Sequence, residues 1–172
     1  MIQLGESFVG AGPEAAHLNT VLGDAEGPVG TAWATALATP TAGHAAFVVV
    51  AQPNLPVKPM TLFVNKATIA SETHARLTWG AAQLGVASGV LDAVADGTLS
   101  GDHASSLVLI AAVWVDPAAQ DADLVYAHNR QATAEALRNG AAGRPSLDDV
   151  LAVRDTPING YYVPASLRTQ GA

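Results

Sequence analysis

Apolar and polar positions divide the chain into short alternating runs and longer helical ones. Residues 2–9 read as a first strand whose end, GESFVGAGP, carries the glycines and proline that turn the chain. Residues 14–22 alternate again, and a period of two puts His17, Asn19 and Val21 on one face. After the turn GDAEGP, Pro28 suits the first position of a helix running to about Leu37, because its missing donor is not needed there. An apolar run, Phe47-Val48-Val49-Val50, leads into the loop QPNLPVKP, where Pro53, Pro56 and Pro59 fix the backbone. Residues 61–69, TLFVNKATI, alternate as a half-buried strand with Leu62, Val64, Lys66 and Thr68 on one face. An ammonium and a hydroxyl are thus expected side by side at the edge of a polar pocket.

Beyond Ile69 the spacing becomes helical. Ser71 suits the cap of a short helix, and residues 81–95 predict a longer one with Leu84, Ala87, Leu91 and Val94 at helical spacing, ended by Gly97. Residues 107–115 are so continuously apolar that they read as a central strand buried on both faces. Pro117 is expected to open the last main helix, residues 118–139, with Gly140 closing it. The order is strand, strand, helix, strand, strand, helix, strand, helix. Residues 141–172 differ in character, with three prolines, Tyr161-Tyr162 and one short helix from Ser146 to about Val153. This tail is expected to lie on its own or a neighbouring subunit, its tyrosines supplying the contact.

Composition narrows the partners. At 172 residues the chain suits a single domain, and with 49% apolar and only 13% charged residues it is not disordered. Surface buried between subunits is expected. A net charge of −7 and a pI near 4.9, without any basic cluster, argue against nucleic acid. The absence of cysteine excludes disulfides, thiolate zinc sites and a cysteine nucleophile. MIQLGESFVG lacks the basic start and apolar segment of a signal peptide, and the longest apolar run is too short to cross a bilayer, so a cytoplasmic protein without a membrane partner is expected.

The five histidines are scattered without metal-ligand spacing, and no nucleophile elbow, phosphate-cradling loop or dinucleotide fingerprint is present. No metal is expected. What remains is His17 with Asn19 beside it. A strand histidine is either a hydrogen-bonded structural residue or a proton donor and acceptor near neutral pH, and the local sequence leaves both open.

The words GESFVGAGPEAAHLN, GPVGTA, ALATPTAGH, PNLPVKP, NKATI, GAAQLGVA and NRQATAEAL extend over roughly the first 140 residues. In that order they resemble the formaldehyde-activating enzymes, which condense formaldehyde with tetrahydromethanopterin. The resemblance implies an α+β domain of the ribosomal protein S5 domain 2-like type over residues 1–140. It also implies a ring-forming subunit, typically in a homopentamer, with sites in clefts between neighbours. Residues 141–172 form a C-terminal extension outside that pattern. Position by position, His17 matches the family's catalytic histidine, while Val48, Lys66, Thr68 and Gln83 fall where the family contacts its reduced pterin. Val48 replaces a common leucine and keeps an apolar wall. Asn19 stands where the family usually has aspartate, which removes a charge beside the histidine and leaves a group that cannot act as a base. The implied co-substrate is tetrahydromethanopterin, with no redox cofactor or metal. The alternatives are a paralogue that binds another pterin or aldehyde, or senses a ligand without turnover, and a purely structural ring protein.

Overall fold

The two opening strands pair as their alternation requires. In the computed structural model, which describes residues 1–168, β1 (Ile2–Val9) runs antiparallel to β2 (Ala16–Asp24), with Phe8 opposite His17 and Glu6 opposite Asn19. Pro28 starts α1 (Pro28–Ala38). The next apolar run is divided into β3 (Ala46–Val48) and β4 (Val50–Gln52), the latter forming a small hairpin with β5 (Leu55–Pro56). Then follows β6 (Met60–Asn65). Ser71 caps α2 (Glu72–Arg76), its hydroxyl accepting from the His74 amide, and a wide π-helical turn at Leu77–Ala82 joins it to α3 (Gln83–Ala95). β7 (Leu107–Trp114) and α4 (Ala122–Ala141) complete the main body, and the tail holds two short helices where one was expected, α5 (Leu147–Ala152) and α6 (Ala165–Arg168). Residues 169–172 of the C-terminal extension lie outside the described residues.

The architecture is α+β, with one five-stranded mixed sheet in the order β1-β2-β7-β6-β3 and helices packed on it. β7 is central, antiparallel to β2 and parallel to β6, but the burial expected on both faces holds for one only: Ile110, Ala112 and Trp114 on the second face are partly exposed. One face of the sheet, including Leu18, Leu22, Phe63, Leu109 and Val113, buries against Val86 and Val90 of α3 and Val125 and Leu137 of α4. Gly85 and Gly89 let α3 meet α4 backbone to backbone: a Cβ at either would lie 2.6 Å from the Tyr126 or Arg130 carbonyl oxygen.

On the second face α1 covers one end, with Val29 seated over Gly23, and the end carrying His17 and Trp114 is left open.

Four expectations need correction. The strand expected to reach Ile69 stops at Asn65, whose side-chain amide donates to the Gly43 and Ala67 carbonyls at 2.9 Å and draws the chain off the sheet. Thr68 therefore does not share a strand face with Lys66. The last main helix starts at Ala122, because Asp116 first accepts from the Ala118 amide in a turn and Asp121 then caps the helix through the Asp123 and Leu124 amides. It also runs past Gly140, which packs against the Leu4 carbonyl. Gly143, at φ +61°, makes the left-handed step beyond the helix end instead. Finally, α3 turns Val86, Ala87, Val90 and Ala93 inward, leaving Leu84 and Leu91 exposed.

Candidate active site

Cross-strand register builds the site on the open end of the sheet. His17 on β2 lies beside Phe8 on β1 and Trp114 on β7, and the Phe8 and His17 rings are 5.8 Å apart. Lys66 follows the last residue of β6. Its amide still donates to the Val113 carbonyl at 2.8 Å, which continues the ladder by one residue and sets Lys66 alongside Trp114. His17, Asn19, Lys66, Trp114 and Tyr161 together line a cavity of about 330 Å³. Sequence-predicted residues from two distant segments thus meet in one place.

The electrostatics include a group the sequence reading did not select. Glu6 Oε1 lies 3.2 Å from His17 Nε2, with both side chains half exposed. Glu6 sits diagonally across the strand pair from His17 because it is directly opposite Asn19. A carboxylate thus stands beside His17, held on the strand that pairs with its own. Among the described residues, neither the Asn19 amide nor the Lys66 ammonium is committed to a hydrogen bond or ion pair. The Trp114 indole N–H in the same wall is buried and makes no hydrogen bond.

Three of the other four histidines are held by side-chain hydrogen bonds elsewhere. His74 is buried, accepting from the Ala70 amide and donating to the Val115 carbonyl at 3.0 Å. His128 donates to the Glu14 carbonyl at 2.8 Å. His44 bonds the Asn65 carbonyl through Nδ1, so its Nε2 accepts from the Thr68 hydroxyl at 3.0 Å. Thr68 thus stands in the loop that follows Lys66, held against Gly43 and His44.

Val48 and Gln83 belong to a second group. With Phe47, Val50 and Trp79 they line a separate cavity of about 350 Å³ at the β3 edge. Gln83 is buried and behaves as an extra rung of sheet: its side chain accepts from the Val50 amide at 2.8 Å and donates to the Val50 carbonyl at 3.3 Å. Val48 is in register with Leu62, Ile110 and Val21, so it lies three strands across and four residues along from His17. That is roughly 20 Å at ordinary strand spacing and rise.

An α+β subunit that gathers an imidazole, a carboxylate, an ammonium and an amide on an open sheet face has the equipment of an acid–base enzyme. The chain belongs to the formaldehyde-activating enzyme family, whose model matches residues 4–161. It is similar to the 5,6,7,8-tetrahydromethanopterin hydro-lyase of Methanosarcina barkeri, with 40% identity over 153 residues, 89% of this chain and 86% of that protein. It is also similar to the bifunctional enzyme Fae/Hps of Methanococcoides burtonii, 41% identical over 155 residues, and to that of Methanothrix thermoacetophila, 39% identical over 166 residues. The matches cover 90% and 95% of this chain but only 39% and 42% of those longer proteins.

Proposed function

We propose that this protein condenses formaldehyde with tetrahydromethanopterin, giving the methylene adduct and water. The observation that carries the reading is the convergence of His17, Asn19 and Lys66 on one cavity, in a chain of this family. One reduced nitrogen of the pterin adds to formaldehyde and gives a carbinolamine. Hydroxide is a poor leaving group, so His17 in its protonated form donates to that oxygen and water departs, leaving an iminium. The second nitrogen attacks the iminium carbon, and the neutral imidazole takes the proton this nitrogen releases. One formaldehyde and two N–H bonds thus become one methylene bridge and one water. Carbon stays at the oxidation level of formaldehyde, so no step calls on a redox cofactor.

Glu6 orients the imidazole and faces its positive charge in the donating state. Asn19 and Lys66 hold the pterin, and holding both reactants in line supplies much of the rate. Val48 and Gln83 are too far from His17 on one protomer to touch the same head group. The complete site therefore joins the sheet-face group of one subunit to the edge group of the next, with Thr68 in the loop between them. This fits a ring, a homopentamer of S5 domain 2-like subunits in the cytoplasm, in which residues 1–140 form the domain and 141–172 its extension. Exposed Trp79 and Leu84 near the edge group support such a contact.

Calorimetric titration with tetrahydromethanopterin and tetrahydrofolate tests the substrate assignment. The protein is expected to bind the former more tightly, and Lys66→Ala to weaken binding about tenfold, the scale of one charge-assisted contact. Binding of neither pterin contradicts the assignment.

A further inference from the structure

The C-terminal tail meets the end of the sheet that carries His17 through a turn at residues 159–162. Its helix α5 leaves Leu147, Val150 and Leu151 exposed, so that segment is not what anchors it. Instead Asn159 and Tyr162 close a tight turn, their backbones exchanging hydrogen bonds of 3.0 and 3.3 Å. The Asn159 side chain also accepts from the Tyr161 and Tyr162 amides at 2.8 Å each. Gly160 at the turn's tip lies directly on Phe8, where a Cβ would come within 2.2 Å of the ring. Tyr161 meets the same ring edge-on, with centroids 5.9 Å apart and planes at 83°. The turn is closed by its own hydrogen bonds and fits its seat only with glycine.

That placement puts Tyr161 in the walls of both cavities that flank His17. One is the cavity shared with Asn19, Lys66 and Trp114. The other, about 280 Å³, is bounded by Glu6, Phe8 and His17 on the sheet and by Ile158 to Tyr161 of the tail. Burial, and behind it the charge of Asp116, holds the Tyr161 phenol above its ordinary pKa, so it stays a neutral hydrogen-bonding group throughout the physiological range. The Trp114 indole N–H comes near enough to oppose that shift slightly, yet makes no hydrogen bond of its own. Two aromatic walls with available polar tips therefore flank one side of His17.

We propose that the turn at residues 159–162 is a wall of the active site and that Tyr161 contacts substrate, fixing the planar head group of the reduced pterin beside Trp114. This rests on the pterin reading above. A planar heterocycle is what aromatic walls recognise, through stacking and edge contacts beyond area burial. Formaldehyde has no such surface, so the two substrates should respond differently to changes at this residue.

The test is steady-state kinetics and pterin titration on the full chain. Tyr161→Ala is expected to raise KM and Kd for tetrahydromethanopterin about tenfold with a smaller change in kcat. Tyr161→Phe, which keeps the ring, should recover most of that loss. Gly160→Val should reproduce the Tyr161→Ala defect while retaining the tyrosine, because it lifts the turn off Phe8. Leu147→Ser, in the same tail but away from both cavities, should leave KM unchanged, and thermal unfolding of each variant establishes that it is folded. If the unaltered protein binds tetrahydromethanopterin and Tyr161→Ala binds it equally well, the wall is overturned and the function stands. If the unaltered protein binds no reduced pterin, both fall.

Discussion

At the scale of single residues, the site turns on what accompanies His17. Its position and the neighbouring Asn19 follow from a period of two, but Glu6 does not, because its approach depends on how β1 pairs with β2. The signal was available in principle: the polar Glu6 stands among Leu4, Phe8 and other outward positions of a strand joined to β2 by a short connection. Fixing the register from sequence would have required the geometry of the turn around Gly12 and Glu14. Glu6→Gln keeps the size and hydrogen bonding of the side chain while removing its charge. Turnover is expected to fall about tenfold, within the range of positioned acid–base contributions, with the pterin KM changed less. Equal turnover in steady-state assays would leave Glu6 with no part in the chemistry. Asn19→Asp would place two carboxylates directly opposite each other across β1 and β2. Opposed like charges destabilise a strand pair, so denaturant unfolding at neutral pH should register a loss of up to about 1 kcal/mol. A stabilised variant would contradict this reading of the pair.

Elements show where local pattern suffices and where side chains override it. β1, β2 and the central β7 were legible because one face of each is buried along most of its length, and α1 because Pro28 marks its start. The end of β6 was not, because Asn65 completes an alternating pattern by position but binds two loop carbonyls with its amide. The start of α4 was missed for a related reason: Pro117 suits a helix start, while Asp116 and Asp121 assign a turn first and the cap second. The pairing of α3 with α4 was equally hidden, since it depends on a contact between helices far apart in sequence. There Arg130 binds Asp92 through two hydrogen bonds of 2.7 and 2.8 Å. The Arg130 hydrogen bond holds the Asp92 carboxyl below its ordinary pKa. A carboxyl lowered on folding contributes stability above its unfolded pKa of about 3.9, and that contribution is lost as pH falls through the lower folded value. Both side chains are over a third exposed, so Asp92→Asn should cost no more than about 1 kcal/mol at pH 7. Denaturant midpoints of the two proteins should converge below about pH 4. A gap that widens on acidification would show that the pair acts otherwise.

For the whole molecule, the central feature is that the proposed site residues line two separate cavities of one chain. Sequence reading through the family's words selected His17, Asn19 and Lys66, which meet, and Val48 and Gln83, which lie at the β3 edge with an apolar surround. No periodicity could reveal that division, because it arises from the strand order β2-β7-β6-β3. Exposed Ile2, Leu4, Trp79, Leu84 and Leu91 leave the surface more apolar than a lone subunit needs. Light scattering at micromolar concentration is therefore expected to find a homo-oligomer, and a monomer would remove the basis for a site shared between subunits. The most direct measurement is the rate at which formaldehyde and tetrahydromethanopterin form the methylene adduct, with and without the purified protein, beside His17→Ala. Clear acceleration over the spontaneous reaction is expected, lost in a variant that remains folded because His17 lies at a half-open sheet surface. A protein that binds the pterin but gives the spontaneous rate, or a His17→Ala variant that retains the acceleration, would contradict it.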